Sequence, residues 1–380
     1  MFELIETTEQ LQLFIEKIGD VNWIALDTEF LRERTYYAKL CLIQLEANGH
    51  RSCIDPLKIS DLEPLIKLLN DKSIIKVFHA AHQDLEILMQ LSGNVPAPIF
   101  DTQVAAAVLG YGDQMGYARL IEHMLNTPLS KTQSRTDWTR RPLKQSQLEY
   151  AIDDVRYLAQ IYPMMLDELQ SKNRLNWLDN DFLNASNPLT YAVNANERWK
   201  KVRGNQVLNR PQLAILRELA AWREQAAEKA NRPRKWMLSD DILLDLSRQQ
   251  PSNPNEVLEV RGLQTEKTKK YHKTWLELIA KGKQTIEEEW PELPRSKKPT
   301  VEKNILIDLL MVVIQVQAKK HGITPSVIAT RKHVTKMVQS DLNTLSDDWR
   351  GELVNQQFID LISGKIALGI EGNKATIMKF

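Results

Sequence analysis

The sequence predicts an α/β domain with a mixed sheet, followed by two small helical bundles. Three observations carry that expectation. Over the first 110 residues, short β-like runs alternate with helix-like stretches. Beyond residue 116 the apolar residues recur at spacings of three and four. Polar or proline-rich segments at 184–196 and 287–303 then cut the chain. With 380 residues, the protein exceeds one ordinary domain.

The elements follow in order. Trp23–Leu26 leads into Asp27-Thr28-Glu29-Phe30 as a strand. Leu40–Leu45 and Arg51–Ile54 are two more, with the hairpin signal Asn48-Gly49 between them. Asp61–Leu69 reads as a helix, Ile74–Phe78 as a buried strand and Gln83–Leu91 as a helix. Pro98–Phe100 is a short strand, and Asp101 is placed to cap a helix through Leu109. This order, βββαβαβα, implies a mixed sheet with helices packed on it. Gln145–Leu169 carries Leu148, Ile152, Val155, Leu158 and Ile161 on one face and predicts a long amphipathic helix. Asn184–Asn196 is polar and reads as a linker. Residues 209–283 and 304–370 are helical units with one rhythm. Each opens with a long helix, turns at Pro233 or Pro325, and continues in shorter helices. The pair reads as a diverged tandem repeat of about 80 residues, with two unrelated bundles as the alternative. The expected domains are 1–200, 208–286 and 300–372.

Composition narrows the function classes. Hydrophobic residues make up 43% and charged residues 26%, the profile of a core-forming protein. The net charge of +1 hides an asymmetry. Residues 1–200 hold 20 Lys+Arg against 27 Asp+Glu, net −7, and residues 201–380 hold 30 against 22, net +8. A basic half points to an anionic partner, although such swings also arise from solubility alone. Cys41 and Cys53 have neither zinc spacing nor an evident need to pair, so a reducing cytoplasm is expected. No run approaches the roughly 20 apolar residues of a membrane span. The first residues lack the pattern of a signal peptide. Nothing signals an oligomer, and a monomer is the default.

Three motifs in the acidic half carry chemistry. Asp27-Thr28-Glu29 ends a strand, where residues two apart share a face, so both carboxylates converge. His79-Ala80-Ala81-His82-Gln83-Asp84 follows a buried strand, at the sheet end where α/β proteins bind ligands. Tyr150 and Asp154 lie one helical turn apart. Singly, each has a plain structural reading: a solvated strand end, an acid at a helix start, a tyrosine on a core edge. Together, Asp27, Glu29, Asp84 and Asp154 form a hard-oxygen set suited to two divalent ions, Mg2+ or Mn2+. Two such ions stabilise the attacking and leaving oxygens of phosphodiester hydrolysis, and Tyr150 would orient or help deprotonate the water.

In this order the motifs resemble the DEDD exonucleases of the tyrosine subgroup. Ile24–Phe30, Arg34–Tyr37, Ser134-Arg135-Thr136-Asp137-Trp138 and Arg141-Pro142-Leu143 look like the bacterial ribonuclease D family. Leu216–Arg223, with Ala227, Pro233 and Gly262, resembles the helical C-terminal domain that this family shares with RecQ-type helicases, and 304–370 resembles a second copy. The resemblance implies a ribonuclease-H-like fold and a 3′→5′ exoribonuclease in the cytoplasm. It implies trimming of tRNA precursors with 3′ extensions and release of nucleoside 5′-monophosphates. The catalytic residues it implies are Asp27, Glu29, Asp84, Tyr150 and Asp154.

Thr28, His79 and Gln83 adjoin the acidic set and are candidates for contact with the terminal nucleotide, against simple supporting roles. Arg135, Arg140 and Arg141 surround Trp138, a pattern that suits single-stranded RNA unless the tryptophan is packed. Arg232, Arg234 and Lys235 flank Trp236, and Lys267, Lys269, Lys270 and Lys273 gather on a helix, as a surface for tRNA. A DNA exonuclease of the same superfamily and a catalytically silent RNA-binding protein are the competing readings.

Overall fold

The computed structural model describes residues 1–129, 136–263, 265–293, 298–340 and 342–379. The chain opens with β1 (Glu3–Ile5) and α1 (Thr8–Ile18). Thr7 and Gln10 close a capping box at the start of α1, and Leu11, Phe14 and Ile18 bury one face. Next come β2 (Trp23–Leu31), β3 (Lys39–Ala47) and β4 (His50–Ile54). Asn48 and Gly49, at φ 48° and 79°, form a two-residue turn, so Ala47 pairs with His50. Then follow α2 (Glu63–Asn70), β5 (Ile75–Phe78), α3 (His82–Ser92), β6 (Ile99–Asp101), α4 (Thr102–Leu109), α5 (Tyr117–Leu125), α6 (Gln145–Ser171) and α7 (Asp179–Ala185).

The six strands form one mixed sheet in the order β1-β4-β3-β2-β5-β6. The β3–β4 pair is antiparallel, while β1–β4, β2–β5 and β5–β6 are parallel. Its core holds Ile24 and Leu26 of β2, Ile43 and Leu45 of β3, and Phe78 of β5. On α6, Ile152, Val155, Leu158 and Ile161 are buried. Tyr162 of α6 packs against Trp23 of β2 and Phe100 of β6, with ring centroids 5.0 and 4.9 Å away. These contacts set the register of α6 on the sheet.

The described residues fall into two compact units. One comprises Leu31–Lys39 and Ala192–Ser296. It contains α8 (Arg210–Lys229), α9 (Arg234–Met237), α10 (Asp240–Gln249), α11 (Pro254–Leu258) and α12 (Thr265–Lys283). Leu213, Leu216, Leu219, Leu243, Trp275 and Ile279 share its core. Leu31–Lys39 is held by Asn231, whose side-chain oxygen accepts from the Tyr36 and Tyr37 amides. The Tyr36 and Tyr37 hydroxyls donate to Glu224 and Glu228.

The other unit comprises Met1–Phe30, Leu40–Tyr191 and Lys297–Phe380. Its last part holds α13 (Val301–His321), α14 (Pro325–Ile328), α15 (Arg331–Gln339) and α16 (Trp349–Ile362), the same long–short–medium order as α8 to α10. These helices pack with the α/β core. Trp349 stacks on Trp177 at 4.2 Å with planes 5° apart, and Arg350 donates to Asp181 at 2.8 Å. The expected segments 1–200, 208–286 and 300–372 divide the chain differently from these two units. Asn184–Asn196 is also not plain linker: Pro188–Thr190 is a helical turn and Tyr191 is buried.

Three further features lie outside the sequence expectation. β1 is too short to register as a period, while the Thr7–Gln10 box and the 11, 14, 18 spacing do mark α1. The 304–370 unit ends not in helix but in a hairpin, β7 (Ile366–Glu371) and β8 (Lys374–Lys379), turning at Gly372-Asn373. As expected from sequence, both cysteines are buried, and neither forms a disulfide. Among the described residues, no helix is long and apolar enough to cross a membrane.

The C-termini of α4 and α13 meet at Gly110. A Cβ there would lie 1.9 Å from the Gly322 carbonyl oxygen, and its φ is +93°. Gly19 also has positive φ, +62°, but nothing stands within 4 Å. Gly110→Ala is expected to destabilise by more than about 2 kcal/mol in urea titration, and Gly19→Ala by about 1 kcal/mol. Equal losses would contradict this packing.

Candidate active site

The site begins with the pleat of β2. Asp27 and Glu29 share a face by strand alternation, and α6 brings Asp154 to them. One carboxylate oxygen from each lies within 4.8 Å of the others. A cavity of about 250 Å3 opens onto this cluster. Thr28, His79, Tyr117, Tyr150 and Leu158 complete its wall. Asp84, in the first turn of α3, stands outside this group of three, but its charge acts on Asp27 and Glu29. Thr28 donates to one Asp84 oxygen at 2.5 Å.

Two devices fix the frame. Asp101 accepts from the amides of Ala80, Ala81 and Gln103 at 2.8–3.0 Å. It caps α4 as expected and also holds the turn between His79 and α3, where Ala80 sits at φ 58°. Tyr117 of α5 donates to the Asp154 carbonyl at 2.5 Å and to that of Asp153 at 3.0 Å, pinning the turn of α6 that carries the acid.

The electrostatics follow from this crowding of acids. Burial pushes Asp27 well above the usual carboxylate range, and Asp154, Asp84 and Glu29 push it further. Burial, then Asp154 and Asp84, raise Glu29 to about 8. Burial and the neighbouring Asp153 and Asp84 raise Asp154 to about 7. Asp84 is raised to about 6 by burial, against the lowering effect of the Thr28 hydroxyl. Each acid resists ionisation because it is buried beside other carboxylates. A divalent ion compensates such charge, and oxygen donors alone fit Mg2+ or Mn2+ better than zinc.

The remaining candidates separate. Tyr150 lines the cavity, its phenol raised by burial and then by Asp154, Glu29 and Asp27. His79 places Nδ1 3.0 Å from the Thr102 hydroxyl, and its Nε2 is buried. Thr28 lines the cavity with its hydroxyl spent on Asp84. Gln83 is exposed on α3 and does not line the cavity. Trp138 is only 3% exposed and packs instead of offering a face to RNA. Arg135 lies outside the described residues. Tyr117 and Leu158 are cavity residues without a motif. Leu158 stands one turn beyond Asp154, which is a usable signal, whereas Tyr117 had none.

Similarity to known proteins supplies the family. Residues 2–170 match the family model described as a 3′-5′ exonuclease, and residues 212–279 match that of the HRDC domain. Ribonuclease D of Bartonella henselae is 33% identical over 98% of this chain and 93% of its own length. That of Sphingobium indicum is 36% identical, over 98% and 97%. The chain belongs to the ribonuclease D family. The crystal structure of Escherichia coli RNase D, an exoribonuclease involved in structured RNA processing, matches with a TM-score of 0.83 at 31% identity. The match covers 96% of this chain and 99% of that one. As a member of the ribonuclease D family, this chain is a hydrolytic 3′→5′ exoribonuclease, of a metal-dependent class.

The raised acids give a sign to pH dependence. The unfolded chain releases these protons near pH 4, whereas folded Glu29 holds its own to about 8 and Asp154 to about 7. Folded protein therefore binds more protons across that window, and metal-free stability falls as pH rises through it. In EDTA, the melting temperature of Glu29→Gln should decline less between about pH 5 and about pH 8 than that of wild type. Mg2+ should raise the wild-type value more at the higher pH. Parallel curves would refute the cluster's role.

Proposed function

We propose that this enzyme trims tRNA precursors with 3′ extensions, releasing nucleoside 5′-monophosphates, and that it works as a cytoplasmic monomer. The observation that carries the reading is the convergence of Asp27, Glu29 and Asp154 on a small cavity walled by Tyr150. Asp84, which accepts from the Thr28 hydroxyl, would be the fourth acid of the set. When bound there, two divalent ions, Mg2+ or Mn2+, supply Lewis acidity toward the attacking and leaving oxygens.

The chain's own groups do the rest. The water oxygen bonds to phosphorus as the phosphorus–O3′ bond breaks, the water giving up one proton to solvent and the leaving O3′ taking one from it, which yields a 5′-monophosphate and a shortened chain with a free 3′-hydroxyl. Tyr150, in the cavity wall, orients the water by hydrogen bonding or helps to deprotonate it. The cavity of about 250 Å3 beside these acids is where the chain end would sit.

RNA capture is assigned to the basic helical unit. Residues 201–283 hold 17 Lys+Arg against 10 Asp+Glu, net +7. Lys269, Lys270 and Lys273 are exposed on α12, and Trp236 is 48% exposed beside Arg232 and Lys235. Such a face attracts phosphate and offers a ring for stacking.

The deciding assay incubates the protein with 3′-extended tRNA, matched DNA and 3′-blocked RNA, in Mg2+ or EDTA. Mononucleotides should appear only from unblocked RNA with metal, and Asp27→Asn should slow release by several orders of magnitude while the protein stays folded. Internal cuts, or equal use of DNA, would reject the reading.

A further inference from the structure

The sequence sets Arg140 and Arg141 beside Trp138, and on sequence alone both are candidate phosphate contacts. The structure separates them. Arg140 is 84% exposed and pairs with Asp137 in its own turn. Arg141 is buried in obligations. Its Nε donates to Asp55 Oδ2 at 2.5 Å. One terminal nitrogen donates to the Trp138 and Arg140 carbonyls, each at 2.8 Å. The other donates to the Cys41 carbonyl at 2.7 Å and to Asp55 Oδ1 at 2.8 Å. A guanidinium has five N–H donors, and all five are committed, so none is left for RNA.

The acceptors lie on three stretches of chain. Cys41 is on β3, Asp55 follows β4, and Trp138 and Arg140 are in the loop that leads into α6. The Asp55 side chain is almost wholly buried, and the fork pairs with both its oxygens. Arg141 thus ties the loop before α6 to the sheet. That loop places Trp138, whose ring centroid lies 6.3 Å from that of Tyr150 with planes 31° apart. The Tyr150 hydroxyl has no hydrogen-bond partner among the described residues. Its direction therefore depends on how its ring is packed.

We infer that Arg141 is a positioning residue for Tyr150, acting through the backbone and ring of Trp138. This rests on reading Tyr150 as the group that orients water. Arg141 touches neither substrate nor reacting atoms.

The test is a double-mutant cycle in single-turnover cleavage of a 5′-labelled single-stranded oligoribonucleotide with Mg2+. Arg141→Lys keeps the charge but cannot serve five acceptors from one nitrogen. It should slow cleavage about tenfold to a hundredfold, leave RNA affinity within about twofold, and cost nothing more in a Tyr150→Phe background. Rate losses that multiply in the double variant would show a general structural effect and overturn the inference. Lost affinity at unchanged rate would show a phosphate contact and overturn it too. If Arg141→Lys fails to fold, Trp138→Phe goes through the same cycle, with the same coupling expected. A wild-type protein that does not cleave, or Tyr150→Phe as fast as wild type, removes the reading of Tyr150 and the inference together. Activity that depends on Tyr150 without coupling removes the inference alone.

Discussion

Carboxylates held together in a protein repel one another, and this enzyme forces three of them, Asp27, Glu29 and Asp154, to place oxygens within 4.8 Å. Asp84 adds its charge from beside them. The folded chain tolerates this only by keeping protons on the acids or by accepting cations. The repulsion is thus a store of affinity for divalent ions, and it explains why so much nearby structure is devoted to preventing the acids from drifting apart.

That supporting structure is long-range and mostly polar. β2 supplies the spacing of Asp27 and Glu29. Asp101 satisfies three amides to fix the turn before Asp84. Tyr117 grips the backbone of Asp154 from another helix. Arg141 fastens the loop before α6 to two places on the sheet. Each brace acts on the backbone or a ring next to a functional side chain, so the functional atoms remain free to meet cations, water and RNA.

The acidic set was legible because its geometry is local. Two residues apart on a strand, a strand end before a helix, and one turn on a helix are distances that sequence encodes directly. The Asn48-Gly49 turn was legible for the same reason: both positions require positive φ. The braces were not. Asp101 looks like any helix cap, and Tyr117 carries no motif. Trp138 beside arginines resembles an RNA-stacking site until its burial is seen. Nor does any local pattern in Trp349 or Gly322 announce that the last helices pack on the α/β core. The total charge of +1 also misleads, since it sums an acidic catalytic part and a basic helical part that meet different needs.

The most direct measurement is anomalous diffraction from crystals grown with Mn2+ and an RNA whose 3′-terminal linkage resists hydrolysis. The account predicts manganese about 2 Å from carboxylate oxygens of Asp27, Glu29 and Asp154, with the terminal phosphate against the same cavity. Manganese bound elsewhere, or an RNA end seated away from these acids, would contradict it.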